Sequence, residues 1–265
     1  MTIHELKYSN TNTYLIEGSS GNILFDTGWA GTFDAFCRSA GDHHISVQNI
    51  DYIIISHFHP DHMGIAQEIA ELGPSIIVFD VQKEFIHSSD RIFDKEDRKD
   101  YKPVNDEKIK IVSVSDSRSF LKEVGIDGEV VHTPGHSDDS ISLVLDDGNV
   151  FVGDLNPLYE LEMHKGTQIE ESWIKILAAG PKAVYYGHAN AYRFDDKGAG
   201  TKTDDDLSGQ VSKIIKYIDK GYPLEKIVKK TKADEVFVQD VMRMYLTHQD
   251  ISIRGILDRI EIKGK

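Results

Sequence analysis

The chain has 265 residues, of which 40% are hydrophobic and 28% charged, and its formal net charge is −14. That length allows one large domain or a domain with an appendage, and the composition is that of a soluble globular protein rather than a disordered or fibrous one. The lone cysteine, Cys37, excludes an internal disulfide, and no apolar run approaches the roughly 18 residues of a membrane-spanning helix.

Charge is unevenly spread. Ser208 to Lys265 carries 12 basic against 8 acidic residues, whereas Met1 to Leu207 carries 18 against 36. An acidic body disfavours broad contact with nucleic acid, and no membrane partner is expected. The start, Met1-Thr2-Ile3-His4-Glu5-Leu6, lacks the basic and apolar stretches of a signal peptide, so a cytoplasmic location is expected.

In chain order, apolar alternation predicts strands at His4 to Tyr8, Thr13 to Glu17 and Asn22 to Asp26, then a helix from Gly31 to Ala40. A strand at Asp51 to Ser56 leads into the string His57-Phe58-His59-Pro60-Asp61-His62, and a helix from about Asp61 to Leu72 stops at Gly73-Pro74. Ser75 to Asp80 is a β-branched strand. The charged, weakly periodic stretch 85–108 reads as an inserted helix and loop able to cover a site. Strands follow at Lys108 to Val114, Gly128 to Val131, Ser140 to Asp146 and Asn149 to Val152, with a hairpin turn at Asp147-Gly148. Gln168 to Ala179 is a helix, and Ala183 to Tyr186 a last buried strand. Together these make an α/β (α+β) catalytic domain over 1–195, a polar linker at 196–207 and a helical extension over 208–265. In that extension Val211, Ile214, Ile215 and Ile218 share one helical face.

The chemistry concentrates at strand ends. His57 and His59, two residues apart in a turning segment, can converge on one cation, while Asp61 and His62 at the next helix start can face a second. Neutral imidazole and carboxylate suit zinc, and also iron or manganese. His136 in Thr133-Pro134-Gly135-His136, Asp154 in Gly153-Asp154 and His188 in Gly187-His188 each follow a strand as well. Ligands delivered by successive strand ends meet at one edge of a sheet system.

This set (HxHxDH, then TPGH, then GD, then GH, with Asp26 in Leu24-Phe25-Asp26-Thr27-Gly28) resembles the metallo-β-lactamase fold superfamily over residues 10 to 190. It is similar in its ligands to glyoxalase II-like thioesterases and to lactonases. The resemblance implies an αβ/βα sandwich with a dinuclear centre: His57, His59 and His136 on one metal, Asp61, His62 and His188 on the other, and Asp154 bridging. Two divalent ions, zinc first among them, would lower the pKa of a shared water, with Asp61 and Asp154 as the carboxylates closest to catalysis. The expected activity is hydrolysis of a small ester, thioester, lactone or phosphodiester. Two other readings stay open: a mononuclear iron persulfide dioxygenase-like oxidoreductase, and a nucleic-acid-processing hydrolase. Antibiotic hydrolysis is disfavoured, because Asp154 is present and Cys37 stands far from every motif.

Around this set, Asp26 is a candidate acceptor for a ligand imidazole N–H, with Ser56, Thr133 and His132 as further candidates behind the ligands. Asn156, Tyr159, His164, Lys165 and Tyr192 are candidates to border the groove. Asp138-Asp139 reads as a turn, and His4, His43, His44, His87 and His248 as surface or structural residues. The tail's Glu235 to Leu246 carries one basic residue, Arg243, which disfavours a DNA-reading helix and suits packing or a homo-oligomer contact.

Overall fold

A computed structural model describes residues 1–194 and 202–247. The chain divides into two compact units, Met1–Arg193 and Phe194–Lys265.

The first unit holds two sheets. One has the order β1-β2-β3-β4-β5-β6, formed by Thr2–Lys7, Asn12–Glu17, Asn22–Phe25, Tyr52–Ile54, Ser75–Phe79 and Ile109–Val112. Its first three strands are antiparallel and β3 to β6 run parallel. The other has the order β11-β10-β9-β8-β7, formed by β7 Gly128–His132, β8 Ile141–Leu145, β9 Asn149–Phe151, β10 Ala183–Tyr185 and β11 Tyr192–Arg193. Here β9 and β10 are parallel and the remaining pairs antiparallel.

Strand periodicity explains the layering. In the first sheet Ile23, Phe25, Ile54, Ile77 and Phe79 face the second sheet, where they meet Val130, Ile141, Leu143 and Phe151. The alternate residues Leu24, Ile53, Ile55, Ile76 and Val78 face the other way, into a cluster with Phe36, Met63, Ala66 and Ile69. Burial on both faces accounts for strands that read as continuous β-branched runs. The helices of this unit are α1 Phe33–Asp42, α2 Pro60–Met63, α3 Ala66–Ala70, α4 Asp90–Lys95, α5 Ser117–Val124 and α6 Gln168–Ala178. The result is an αβ/βα sandwich.

The structure departs from two sequence expectations and adds a helix that no expectation covered. The single helix expected from Asp61 to Leu72 is two short helices, α2 and α3, broken at Gly64-Ile65. Gly64 donates its N–H to the Gly28 carbonyl at 2.8 Å. A β-carbon there would collide with the backbone of Trp29 and Ala30, so the chain passes too closely for a regular helix to continue. Ser117–Val124 is a helix that the sequence reading left unassigned; it buries Phe120, Leu121 and Val124 and ends on Gly125 at φ 79°. The polar segment expected as a linker over 196–207 is helical from Lys202 onward, where α7 (Lys202–Asp219) begins. Its first part, 196–201, lies outside the described residues, as do His248 and the rest of the expected extension beyond 247.

The second unit has α7, α8 (Leu224–Thr231) and α9 (Glu235–Thr247) packed on one another. Among the described residues, Val211 and Ile214 of α7, Ile227 of α8, Ala233 between α8 and α9, and Val238 and Val241 of α9 are its buried apolar positions. Among the described residues no helix is long and apolar enough to cross a membrane.

Candidate metal centre

Five strand ends deliver the site. Asp26 follows β3 directly; His57, Asp154 and His188 each lie three residues beyond the ends of β4, β9 and β10, and His136 lies four beyond β7. Past β4 the chain bends at Ser56 and His57 and reaches His59 in an extended conformation (φ −78°, ψ 152°), and Pro60 occupies the first helical turn, where its missing N–H costs nothing. That places Asp61 and His62 on the opening turn of α2.

The structure brings all seven expected ligands together in two groups. One comprises His57, His59 and His136, the other Asp61, His62, Asp154 and His188, and in each the donor atoms lie within 4.8 Å of one another. In the first group His57 Nε2 and His136 Nε2 stand 3.0 and 3.1 Å from His59 Nδ1. In the second, His188 Nε2 is 2.9 Å from Asp61 Oδ2 and 3.4 Å from Asp154 Oδ2, and His62 Nε2 is 3.2 Å from Asp154 Oδ1. Asp154 also reaches the first group, with Oδ2 3.6 Å from His136 Nε2. One carboxylate thus spans both.

Hydrogen bonds behind these residues set which ring nitrogen faces inward. Asp26 Oδ2 accepts from His62 Nδ1 at 2.9 Å and from the Ser56 hydroxyl at 2.9 Å, while Oδ1 accepts the Ser56 N–H at 2.7 Å. Ser56 has one hydroxyl proton and gives it to Asp26, so His57 Nδ1, 3.0 Å from Ser56 Oγ, is the donor there. His188 Nδ1 donates to the Asn10 carbonyl at 2.7 Å. In all three rings Nε2 is therefore left to face the centre.

The residues fit a cation. Buried His62 Nε2 and Asp154 Oδ1 lie close to each other yet are not aligned as a hydrogen bond, and neither has a hydrogen-bond partner elsewhere. A buried imidazole nitrogen and a carboxylate oxygen that converge without pairing suit a metal that takes the place of the ring's Nε2 proton. The three crowded imidazole nitrogens of the first group fit the same description, because ligands about 2.0–2.1 Å from one zinc ion stand roughly 3.3 Å apart.

Electrostatics separate the two groups. Burial pushes the His57 imidazole well below its ordinary range, aided by the neighbouring His62 charge, and burial lowers His136 too. In the second group burial also opposes charge, but carboxylates outweigh it. Asp26 and Asp154 raise His62 well above its ordinary value, and Asp154 and Asp61 raise His188 to about 10. Burial would raise the Asp154 and Asp61 carboxyls, yet His62 and His188 hold Asp154 far below the usual carboxylate range, and the His188 hydrogen bond lowers Asp61.

Other residues support the frame. Buried Asp139 takes the Phe58 N–H on Oδ2 and the Ser137 hydroxyl on Oδ1, both at 2.7 Å, tying the loop of His136 to the residue between His57 and His59. Gln82 spans the same seam from its side-chain N–H to the Ile55 carbonyl at 3.0 Å and the Asp139 carbonyl at 3.2 Å. Thr11 Oγ1 donates to the Asp61 carbonyl and Thr27 to the His62 carbonyl. None of Asn10, Thr11, Gln82 or Asp139 was picked out as a site residue from sequence. A buried polar type at a strand or loop end was the available signal.

Several candidates sit elsewhere. Thr133 bonds Ser142 Oγ, and His132 reaches the Asp138 carbonyl, so both brace the 133–140 turn rather than a ligand ring. Asn156 bonds Glu160 and Trp173, and His164 lies 3.9 Å from Glu160. His87 is a structural residue, because it bridges Asp90 at 3.0 Å and Asp106 at 3.2 Å.

A family model described as the metallo-beta-lactamase superfamily matches residues 7–188. The chain belongs to that superfamily. A curated relative, a beta-lactamase-like protein 2 homolog of Drosophila melanogaster, is 30% identical over 189 residues, 68% of this chain and 59% of its own. The thioesterase pkgB of Emericella nidulans is 29% identical over 193 residues, 70% of this chain and 48% of its own. The chain thus spans about half the length of these curated superfamily members. Among solved structures, a metallo-beta-lactamase family protein from Thermus thermophilus superposes with a TM-score of 0.54 at 20% identity, covering 71% of this chain and 74% of its own. That likeness supports the fold.

Proposed function

We propose that the chain is a hydrolase that works with two divalent cations, zinc, iron or manganese, and cleaves a small ester or thioester. The observation that carries this reading is Asp154, whose carboxylate lies between the trio His57, His59 and His136 and the trio Asp61, His62 and His188. The first trio would hold one cation and the second the other, with Asp154 shared. When bound, such a pair supplies an acidified water and a Lewis acid for a carbonyl oxygen.

The chain's own residues do the rest. Asp26 and Asn10 hold the His62 and His188 rings so that Nε2 points inward. Asp61, on the opening turn of α2 among the second trio, is the carboxylate placed to orient an attacking water. Burial of His57 and His62 excludes bulk water from the floor. The thioesterase relative supports an acyl substrate, and the acidic body disfavours a strongly anionic one.

A substrate panel tests this. Zinc-, iron- and manganese-loaded protein is offered p-nitrophenyl esters, acyl thioesters, a lactone and bis-p-nitrophenyl phosphate. Metal-dependent cleavage of the esters or thioesters, abolished by a chelator and by Asp61→Asn, is expected. A single iron per chain, with oxygen uptake on a persulfide substrate and no ester cleavage, would overturn the proposal.

A further inference from the structure

A pocket of about 450 Å³ opens beside the first ligand trio, with His59 and His136 in its lining. One wall comes from the 85–108 stretch, through Phe85, Ser88 and Ile92; the opposite wall is the turn that carries His136, through Asp138. The size falls within the roughly 300–1,000 Å³ of small-ligand sites.

Both walls are fastened to one peptide of the metal-binding string. Asp139 takes the Phe58 N–H at 2.7 Å, while Ser89 and Ser88 donate their hydroxyls to the Phe58 carbonyl at 2.5 and 3.3 Å. The pocket is therefore held in register with His57 and His59 on either side of Phe58. A group lodged in it is positioned against an atom held at the centre.

The lining chemistry is selective. Phe85 and Ile92 offer apolar surface, and Ile92 is 41% exposed at this position. The lining contains no lysine or arginine, and Asp138 adds an exposed carboxylate. An aliphatic group gains by covering Phe85 and Ile92, whereas a carboxylate there would lose hydration, find no cation in the lining and face Asp138.

We propose that this pocket receives the uncharged aliphatic acyl portion of the substrate, with Phe85 and Ile92 selecting for chain length and Asp138 rejecting an acyl chain that ends in a carboxylate. The inference rests on the hydrolase reading above and narrows its substrate to neutral acyl esters or thioesters.

The test is direct binding. Acetohydroxamate, hexanohydroxamate and adipic monohydroxamate, the last matching hexanoyl in length but ending in a carboxylate, are titrated calorimetrically into zinc-loaded protein. Each buried methylene can tighten binding by up to about fourfold, so hexanohydroxamate should bind at least about tenfold tighter than acetohydroxamate. It should also bind at least about tenfold tighter than the adipic compound. Ile92→Lys and, independently, Asp138→Asn should each shift the hexanoyl-to-adipoyl ratio toward the adipic compound, by about tenfold for the lysine. Equal binding of all three, unchanged in both variants, would overturn the pocket assignment and leave the hydrolase reading standing. Failure of every hydroxamate to bind would overturn the metal-site reading and this inference with it.

Discussion

Asp26 joins the two ligand groups: its Oδ2 receives the Nδ1–H of His62 at 2.9 Å and, through the Ser56 hydroxyl, the Nδ1–H of His57. Asp26 is buried and sits at φ 63°, a left-handed conformation that turns its side chain back under β4. One residue behind the site thus sets the inward-facing nitrogen of a ring in each group. Asp26→Ala should lower metal affinity roughly 10–100-fold, as loss of such a partner does elsewhere. Competition against a chromogenic chelator reads this out, and circular dichroism would confirm that the fold persists.

The two groups should differ in proton release on loading. At neutral pH His57 and His136 are held uncharged, whereas His62 and His188 are held protonated. Filling the first group should therefore release essentially no protons, and filling the second about one to two. Calorimetry in two buffers of different ionisation heat separates these numbers. For metal-free protein the sign follows from His188, raised to about 10: its stabilising contribution is complete below its unfolded pKa of roughly 6.5 and fades as pH rises through about 10. Melting temperature of metal-free protein should accordingly fall over that range.

Gly187 has no room for a side chain. A β-carbon there would lie 2.6 Å from Asp154 Oδ1 and 2.7 Å from His62 Cε1. Gly187→Ala should push Asp154 away from His62, weakening the second cation while the first trio still binds. Metal content should fall from about two per chain toward about one.

Asp139→Ala removes the acceptor of the Phe58 N–H. An unpaired buried donor costs about 1–3 kcal/mol, and denaturant unfolding should register a loss of that size. Ester hydrolysis should also drop, because the His136 loop loses its tie to the residue between His57 and His59.

His87 braces the 85–108 stretch from Asp90 in α4 to Asp106. Partial burial opposes its charge, but hydrogen bonds to Asp106 and Asp90 outweigh this and raise its pKa. The brace is fully present below roughly pH 6.5 and weakens as pH rises through the raised value. Amide exchange across 85–108, corrected for intrinsic rates, should quicken as pH rises above roughly 6.5, and His87→Ala should remove that dependence.

The seven candidate ligands were legible in the sequence because five stand just beyond a strand and Asp61 and His62 open the helix that follows, and strand runs such as Tyr52–Ile54 announce themselves locally. What braces them was less legible. Asp139 meets Phe58 across 81 positions and Asn10 meets His188 across 178, so no local pattern carries either pairing. Asp26 reads in the sequence as a candidate acceptor for a ligand imidazole N–H, but which ring it holds, and its link to a second ring, need Ser56 and His62 folded against it. The break between α2 and α3 escaped for a similar reason, since the backbone of Trp29 and Ala30, distant in sequence, is what Gly64 must admit. Helix α5 was overlooked because eight residues carry barely two turns of amphipathic signal.

Native mass spectrometry of the intact chain after loading and desalting counts the cations that Asp154 would share. Two cations per chain are expected in the unaltered protein and one after His188→Ala. A single cation per chain, unaffected by that substitution, would contradict the shared pair.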